Sequence, residues 1–451
     1  MDQRYPVGNR VMSPTHFKRR RPFYGWVIVA GAWLIYMLNQ AAFTWGFTVF
    51  VNPLAEEYGW SRTSITIAWA LSLSWGLLLG PWLGRCFDRY GARPLMAIGG
   101  ALGGLGWLLI PTATNYWTFL AYLVLLVGTG INGALGPSIG SAAIAQWFRV
   151  RRSLALGIYF TGSGGAGLLM IPLMSALIHV YGWQASAATL GAMTLLITVA
   201  VVPFMRHQPE RYGLAPDGGP VSRTAAQTPR AWDIFKRLPL PKHRAFPERD
   251  FLLSEALRSA PFWLFTVAIF LRYFGMGITQ VHQMPHMLTQ GISPAIATAA
   301  LSVSLVVNIP SRIVVGWMGD YYSKKWLLNL LAVVGGLALW SFALVSPALT
   351  AFVWIYAALW GIGLAMLPLQ AAWIADTYGR KSYGSINSAS NSLAMSGRVV
   401  GALGAALAFD YFGSYREIML LGAVGFAVSA ALLLLLPSPE GLQRADKPDA
   451  K

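Results

Sequence analysis

Gly84-Arg85-Cys86-Phe87-Asp88-Arg89-Tyr90-Gly91-Ala92-Arg93 is an island of charge between two long apolar stretches. Its outline returns 232 positions later as Gly316-Trp317-Met318-Gly319-Asp320-Tyr321-Tyr322-Ser323-Lys324-Lys325. In both segments an aspartate stands four residues after a glycine and basic residues follow it. A second pair of basic turns, Arg149-Val150-Arg151-Arg152 and Arg380-Lys381, repeats at almost the same offset. Two echoes at one spacing point to parallel halves. In membrane carriers built that way the solute binds between the halves near the bilayer midplane.

Working outward from those islands, the rest of the chain is apolar. Of its 451 residues 55% are hydrophobic and only 11% charged, whereas soluble domains carry about 25% charged residues. Blocks such as Trp26 to Val51, Ala185 to Phe204 and Ile418 to Leu436 are long enough for a hydrocarbon core ~30 Å thick. The pattern predicts twelve transmembrane helices, at 24–50, 61–83, 94–112, 117–146, 153–179, 185–205, 260–288, 294–318, 326–346, 349–375, 384–409 and 414–437. The expectation is an all-α integral membrane protein of two six-helix bundles, 24–205 and 260–437. A basic tail (1–23), a polar linker (206–259) and a second tail (438–451) complete it. The lone Cys86 rules out an intramolecular disulfide, and the polar, basic start is unlike a signal peptide.

The formal charge is +17, which in a soluble protein would suggest nucleic acid. Its placement argues otherwise. Of the 34 lysines and arginines, 29 fall in the tails, the linker and the loops on one predicted side, and only Arg62 and Arg416 on the other. That bias follows the positive-inside rule and sets both termini in the cytoplasm, with the chain multi-pass in a cell inner membrane. The expected surroundings are the lipid bilayer, with no nucleic acid and a monomeric state.

The segment 84–93 matches every specified position of G-x-x-x-D-R-x-G-x-R, and so resembles the loop signature of the major facilitator superfamily. By that resemblance Asp88, Arg89 and Arg93, with Asp320, Arg151 and Arg152 in the related loops, gate alternating access rather than touch the solute. Gly59-Trp60-Ser61-Arg62 and Trp147-Phe148 followed by Arg151-Arg152-Ser153-Leu154-Ala155 resemble the monocarboxylate transporter and oxalate/formate antiporter branches. The eighth helix is similar to the D-x-x-x-R of vertebrate monocarboxylate transporters, where the arginine anchors the carboxylate and the aspartate serves proton coupling. Here it is Asn308-Ile309-Pro310-Ser311-Arg312: the arginine is kept and the acid is replaced, which leaves anion recognition and removes acid-based coupling.

Read without the family, the ionisable residues give the same sign. A charge at membrane depth is costly and marks a pathway. Arg272, Arg312 and Arg398 lie well inside predicted helices, while every Asp and Glu falls in a loop, a tail or at a helix end. A guanidinium fork without an acid partner favours an anionic solute. Arg272 carries no family match, and a structural role is the stronger reading for it; for Arg398 the alternative to the solute is a structural role bonding backbone carbonyls.

Asn308 and Arg312 share a helix face four residues apart. Further polar candidates for the site are Asn39, Gln40, Tyr159, Gln283, Tyr356 and Asn391, each also suited to helix–helix bonding. His282 and His286, in a pattern resembling bacterial members of this branch, are candidates for a proton-linked role. The glycine runs have small-xxx-small spacing for helix packing and no Walker motif. No H-E-x-x-H, paired aspartates or Ser/His/Asp set lies at membrane depth, so neither an enzyme nor a bound metal or cofactor is expected. The expected function is secondary transport of a small organic anion, a monocarboxylate first and a dicarboxylate or larger anion second, proton-coupled or by exchange.

Overall fold

The computed structural model describes residues 23–45, 47–218 and 250–437, and among these every regular element is helical. Most of the amino tail, the middle of the linker and the carboxyl tail lie outside the described residues. Helices prevail because a backbone in lipid must satisfy its own hydrogen bonds. The spans are α1 (Gly25–Thr44, carried on by Phe47–Tyr58), α2 (Arg62–Tyr90), α3 (Ala92–Thr112), α4 (Tyr116–Trp147), α5 and α6 (within Arg152–Phe204), α7 (Ala260–Thr289), α8 (Pro294–Tyr321), α9 (Lys324–Ala343), α10 (Ala351–Tyr378), α11 (Tyr383–Phe412) and α12 (Arg416–Leu435).

Eleven stretches are thus long and apolar enough to cross a membrane. The stretch Arg152–Phe204 has 53 residues, which as one straight helix would reach about 80 Å, far beyond one crossing. It folds at Gly182, whose φ of 84° and ψ of 165° are not helical. Residues 152–181 and 183–204 are therefore two crossings, and the count becomes twelve. Gly182 is one of the few places where the left-handed region is required, and glycine enters it without a Cβ penalty.

The packing pairs expose the repeat. In the first half α2 packs on α4, α3 on α4 and α6, and α1 on α5; in the second, α8 packs on α10, α9 on α10 and α12, and α7 on α11. Between the halves α2 meets α11 and α5 meets α8, which are one contact with the halves exchanged. The two crossings are close because glycines lie in them. A Cβ on Gly157 would stand 2.6 Å from the Arg312 carbonyl oxygen, and one on Gly316 would stand 2.5 Å from that of Ser153.

One boundary differs from the sequence expectation in a way that matters. The segment around Asp88 is not a loop: α2 runs on to Tyr90 and stops only where Gly91 takes φ 86°. Likewise α8 continues through Asp320 to Tyr321. Both aspartates are therefore held on the last turn of a rigid helix, aimed at the other half.

Candidate functional site

A large cavity opens between the halves, lined by α1, α2, α4 and α5 on one side and α7, α8, α10 and α11 on the other. Its neighbours depart from regular helix: α1 loosens into a π-helical turn at Gln40–Trp45, α4 at Tyr122–Ala134 and α5 at Ala166–Met170, and α10 tightens at Leu364–Met366. Such interruptions are common where a helix serves a site. Here they turn Gln40, Asn132, Ser163 and Leu364 into or beside the wall.

Two guanidinium groups face this cavity. Arg312, from α8, donates to the Phe160 carbonyl of α5, and its Nε has no protein partner. Arg398, from α11, donates to the Gln280 side-chain oxygen on α7. Tyr36 and Tyr273, one from each half, line the same chamber as the two arginines. Among the described residues, no aspartate, glutamate, lysine or histidine belongs to the cavity wall. The bonds made by the two arginines are to neutral acceptors, and their charge is left uncompensated. The remaining lining is amide, hydroxyl and aromatic, with Phe43 stacked on Trp69 at 5.2 Å between ring centres on the first-half side and Trp360 opposite.

The other expected residues divide between the wall and the layer behind it. Asn308 is on the wall, but its amide donates to the Gly361 carbonyl of α10 at 2.8 Å rather than to Arg312. Asn39 donates to the Ile131 carbonyl at 2.5 Å and Gln40 to the Ser163 hydroxyl at 3.0 Å, both from the wall. Asn391 accepts from Gln370 at 2.8 Å and donates to Asn387 at 3.0 Å, forming an amide ladder on the cavity side of α10 and α11. Gln283 is on the wall, and the hydroxyl of Tyr356, buried behind it, donates to it at 2.9 Å. Tyr159 also stands behind, its ring 4.8 Å from that of Tyr36 and its hydroxyl on the Pro137 carbonyl.

Three further residues are placed away from the cavity. Arg272 is fully buried between α7, α9 and α10, with hydrogen bonds of 3.4 Å to the carbonyls of Leu328 and Gly363 and the Phe426 ring beneath it. Two arginines rather than three therefore face the solute path. His282 bonds the Ala402 carbonyl at 3.1 Å and His286 that of Phe342 at 3.0 Å, both packed against Tyr415 inside the second half. Gln280, like Tyr36, Tyr273 and Ser163, is a wall residue that the sequence reading passed over. Its signal was the spacing Tyr273, Met276, Gln280, Gln283, a single stripe along α7.

Toward the face that carries the linker ends, the halves are clasped. Asp88 accepts the backbone N–H groups of Gly384 and Ser385 at 2.8 Å each, at the start of α11. Asp320 does the same for α5, accepting Ser153 and Leu154 at 2.8 and 3.1 Å. Arg152, buried, is paired with Asp376 of α10, which also binds Lys324 at 2.7 Å. Gln146 and Arg380 exchange hydrogen bonds through their side chains and carbonyls. Arg151 lends its backbone N–H to Asp217 at 3.5 Å, whereas Arg89, over the Tyr90 ring, and Arg93 are exposed. Among the described residues, every hydrogen bond and ion pair joining the halves lies on this side of the cavity or at its floor. The cavity is closed here.

The comparisons agree with this architecture. The family model of the Major Facilitator Superfamily matches residues 32–402. The chain is 28% identical over 355 residues to human monocarboxylate transporter 11, covering 76% of this chain and 66% of that one. It is 24% identical over 415 residues, 91% of each chain, to the oxalate:formate antiporter of Oxalobacter formigenes. The chain thus spans just under two thirds of its human relative. Among solved structures, a transporter of the superfamily, FucP, in the outward conformation superposes with a TM-score of 0.67 at 12% identity, covering 92% of this chain and 100% of that one. The human organic anion transporter MFSD10 does so with 0.62 at 15%, covering 91% and 99%. With two repeated six-helix halves, a cavity between them and a family match over most of its length, the chain belongs to the major facilitator superfamily and is a multi-pass membrane protein.

Proposed function

We propose that the protein is a secondary carrier of a small organic anion, a monocarboxylate, moved by rocking of the two halves about the cavity. The observation that carries this reading is the cavity wall itself: two guanidinium groups from α8 and α11 and no acidic side chain. A carboxylate is the missing counter-ion, matched to the guanidinium fork that Arg312 brings to the wall. The names of the relatives, a monocarboxylate transporter and an oxalate:formate antiporter, support the same solute class. The basic bias of the loops places the clasped face in the cytoplasm, which makes this an outward-open arrangement. With Asn308 in place of an acid and both histidines off the wall, exchange of one anion for another needs no further group. Proton coupling would run through the substrate or the clasp aspartates.

The test is uptake of radiolabelled lactate, pyruvate, oxalate and a neutral sugar into proteoliposomes, with and without a pH gradient. Saturable uptake of an acid that Arg312→Ala abolishes supports the reading. Uptake of the sugar alone, or undiminished uptake of the acid by Arg312→Ala, overturns it. A second reading rests on Arg398 standing on a separate helix from Arg312, which suits a solute with two carboxylates. In that case Arg398→Ala loses oxalate and keeps the monocarboxylates.

A further inference from the structure

The helices α5 and α11 begin without caps of their own. Their N-cap residues, Arg151 and Ser382, make no side-chain bond to the first turn. A helix start leaves several N–H groups unsatisfied and carries partial positive charge, and both of these starts lie beside arginine or lysine. In each case one carboxylate from elsewhere in the chain supplies the first-turn bonds that the N-cap does not, and a second holds the N–H groups of the turn just before the helix. One belongs to the opposite half: Asp320 on Ser153 and Leu154, and Asp88 on Gly384 and Ser385. The other belongs to the same half and to an end of the linker. Asp217 accepts Arg149 and Val150 at 2.9 and 3.0 Å and Arg151 at 3.5 Å, and Asp250 accepts Arg380 and Lys381 at 2.8 and 3.0 Å.

The same-half assignment follows from the packing of each linker end. After α6, Arg206 lies between the rings of Tyr24 and Tyr212, its carbonyl accepts from the Trp147 indole, and His207 packs on Phe87. Before α7, the Phe251 N–H bonds the Tyr378 carbonyl and Ser259 bonds the Tyr378 hydroxyl. Asp217 also holds φ 58°, the one positive value among the described non-glycine residues, a conformation that costs energy and is kept where surroundings demand it. Burial against the turn raises its carboxyl above the ordinary range despite the pull of the three N–H groups, while part of its surface stays in water. Asp217 follows α6 and Asp250 precedes α7, so they are not mates in the repeat. Two unrelated segments have arrived at the same arrangement.

We propose that Asp217 and Asp250 are positioning residues for the gate, resident caps that hold the 149–151 and 380–381 turns so that the neighbouring N–H groups receive Asp320 and Asp88 each time the halves close. This rests on the alternating-access reading. When the halves part on this face, Asp88 and Asp320 leave with their own helices, while Asp217 and Asp250 travel with the turns they hold. These bonds lie at the exposed rim of the clasped face, so water can satisfy the freed N–H groups in either state, but without the resident carboxylate the turn is loose while the halves are apart. Loss of the cap therefore weakens the closed state, because the turn must be ordered anew at every closure.

The experiment is electron–electron distance measurement in nanodiscs on the full chain with Cys86→Ser, spin-labelled at Tyr90 and Tyr322 on the clasped face and, separately, at Tyr181 and Tyr411 on the other. Asp217→Ala and Asp250→Ala are each expected to raise the ratio of parted to closed populations on the clasped face by roughly threefold to tenfold, the size of effect a cap residue supports. Coupling is expected to be selective: Asp217→Ala adds little once Asp320 is alanine, and Asp250→Ala adds little once Asp88 is alanine. A lowered melting temperature with unchanged distance distributions, or additive effects in all four pairings, overturns the proposal in favour of simple strapping. If a variant does not fold, Asp217→Asn or Asp250→Asn, which keeps one acceptor oxygen, is expected to give the same shift at smaller size, and no shift overturns it. Failure of the underlying reading looks different: the unmutated protein would then show one distance population on both faces under every condition.

Discussion

The cavity and the clasp are built from the same residue types and differ in where the carboxylates are. On the clasped face both uncapped helix starts, the turns before them and the buried Arg152 have an acid within hydrogen-bonding distance, supplied by Asp88, Asp320, Asp376, Asp217 or Asp250. Eight residues from Asp320 along α8, and 13 from Ser385 along α11, the acids end. Arg312 and Arg398 stand with neutral acceptors only. Paired charges make a surface that holds itself shut, whereas unpaired charges make a surface that waits for a solute. A buried cation without a counter-ion is unfavourable, and it is tolerable here because the cavity wall is polar and each guanidinium keeps a neutral acceptor; under the proposed function an anion would complete it.

The strongest way to break that contrast is to remove the unpaired charge. Arg312→Ala is expected to lower uptake at subsaturating anion by about tenfold to a hundredfold, the range that a charge-assisted hydrogen bond of about 1.5–3 kcal/mol implies. Arg312→Lys keeps the charge but not the fork, and falls between. Arg272→Met is the control for burial as such. It replaces an off-cavity guanidinium held by two long carbonyl bonds with an apolar chain of similar length, so KM stays within about twofold while thermal stability is unchanged or raised. If Arg272→Met were as damaging to KM as Arg312→Ala, the division between site arginine and packing arginine would be wrong.

Next in size is the clasp. Gly316→Val puts branched carbon where the Ser153 carbonyl and Gly157 already touch, and the α5–α8 crossing has only backbone there to yield. The expected result is a shift of the clasped face toward parting, seen in the Tyr90–Tyr322 label distance, with little change in the cavity arginines' preference among anions. Asp376→Asn is milder in the same direction, because Arg152 keeps its bond of 2.9 Å to the Phe148 carbonyl and Asp376 is a quarter exposed.

How much of this the sequence carried differs between the two regions for a physical reason. Spans, halves and gate aspartates were legible because they rest on local patterns: apolar length, the repeat of Gly84 to Asp88 in Gly316 to Asp320, and charge sidedness. The cations of the cavity were legible too, since an arginine deep in an apolar run has few explanations. Which face of its helix each arginine occupies was not. Arg272 and Tyr273 are adjacent, and helix geometry turns one to α9 and the other to the cavity. The linker caps were hidden more deeply. Asp217 and Asp250 lie 68 and 130 residues from the turns they hold, and neither sits in the repeat.

The smallest expected effect sharpens the comparison most, because it concerns a neutral residue. Gln280 gives its side-chain oxygen to Arg398, doing for the cavity what Asp376 does for the clasp but without charge. Gln280→Ala leaves Arg398 free to reorient, and uptake is expected to fall only about twofold to fivefold, in line with a neutral hydrogen bond of about 0.5–1.5 kcal/mol. Gln280→Glu, by contrast, supplies the acid that the cavity lacks. It would pair with Arg398 as Asp376 pairs with Arg152 and remove one of the two positive charges a solute sees. Uptake of a dianion should then fall further than that of a monoanion, measured as the ratio of oxalate to lactate transport in the same proteoliposomes. Should Gln280→Glu leave that ratio where it was, Arg398 takes no part in reading solute charge, and Arg312 alone anchors the anion.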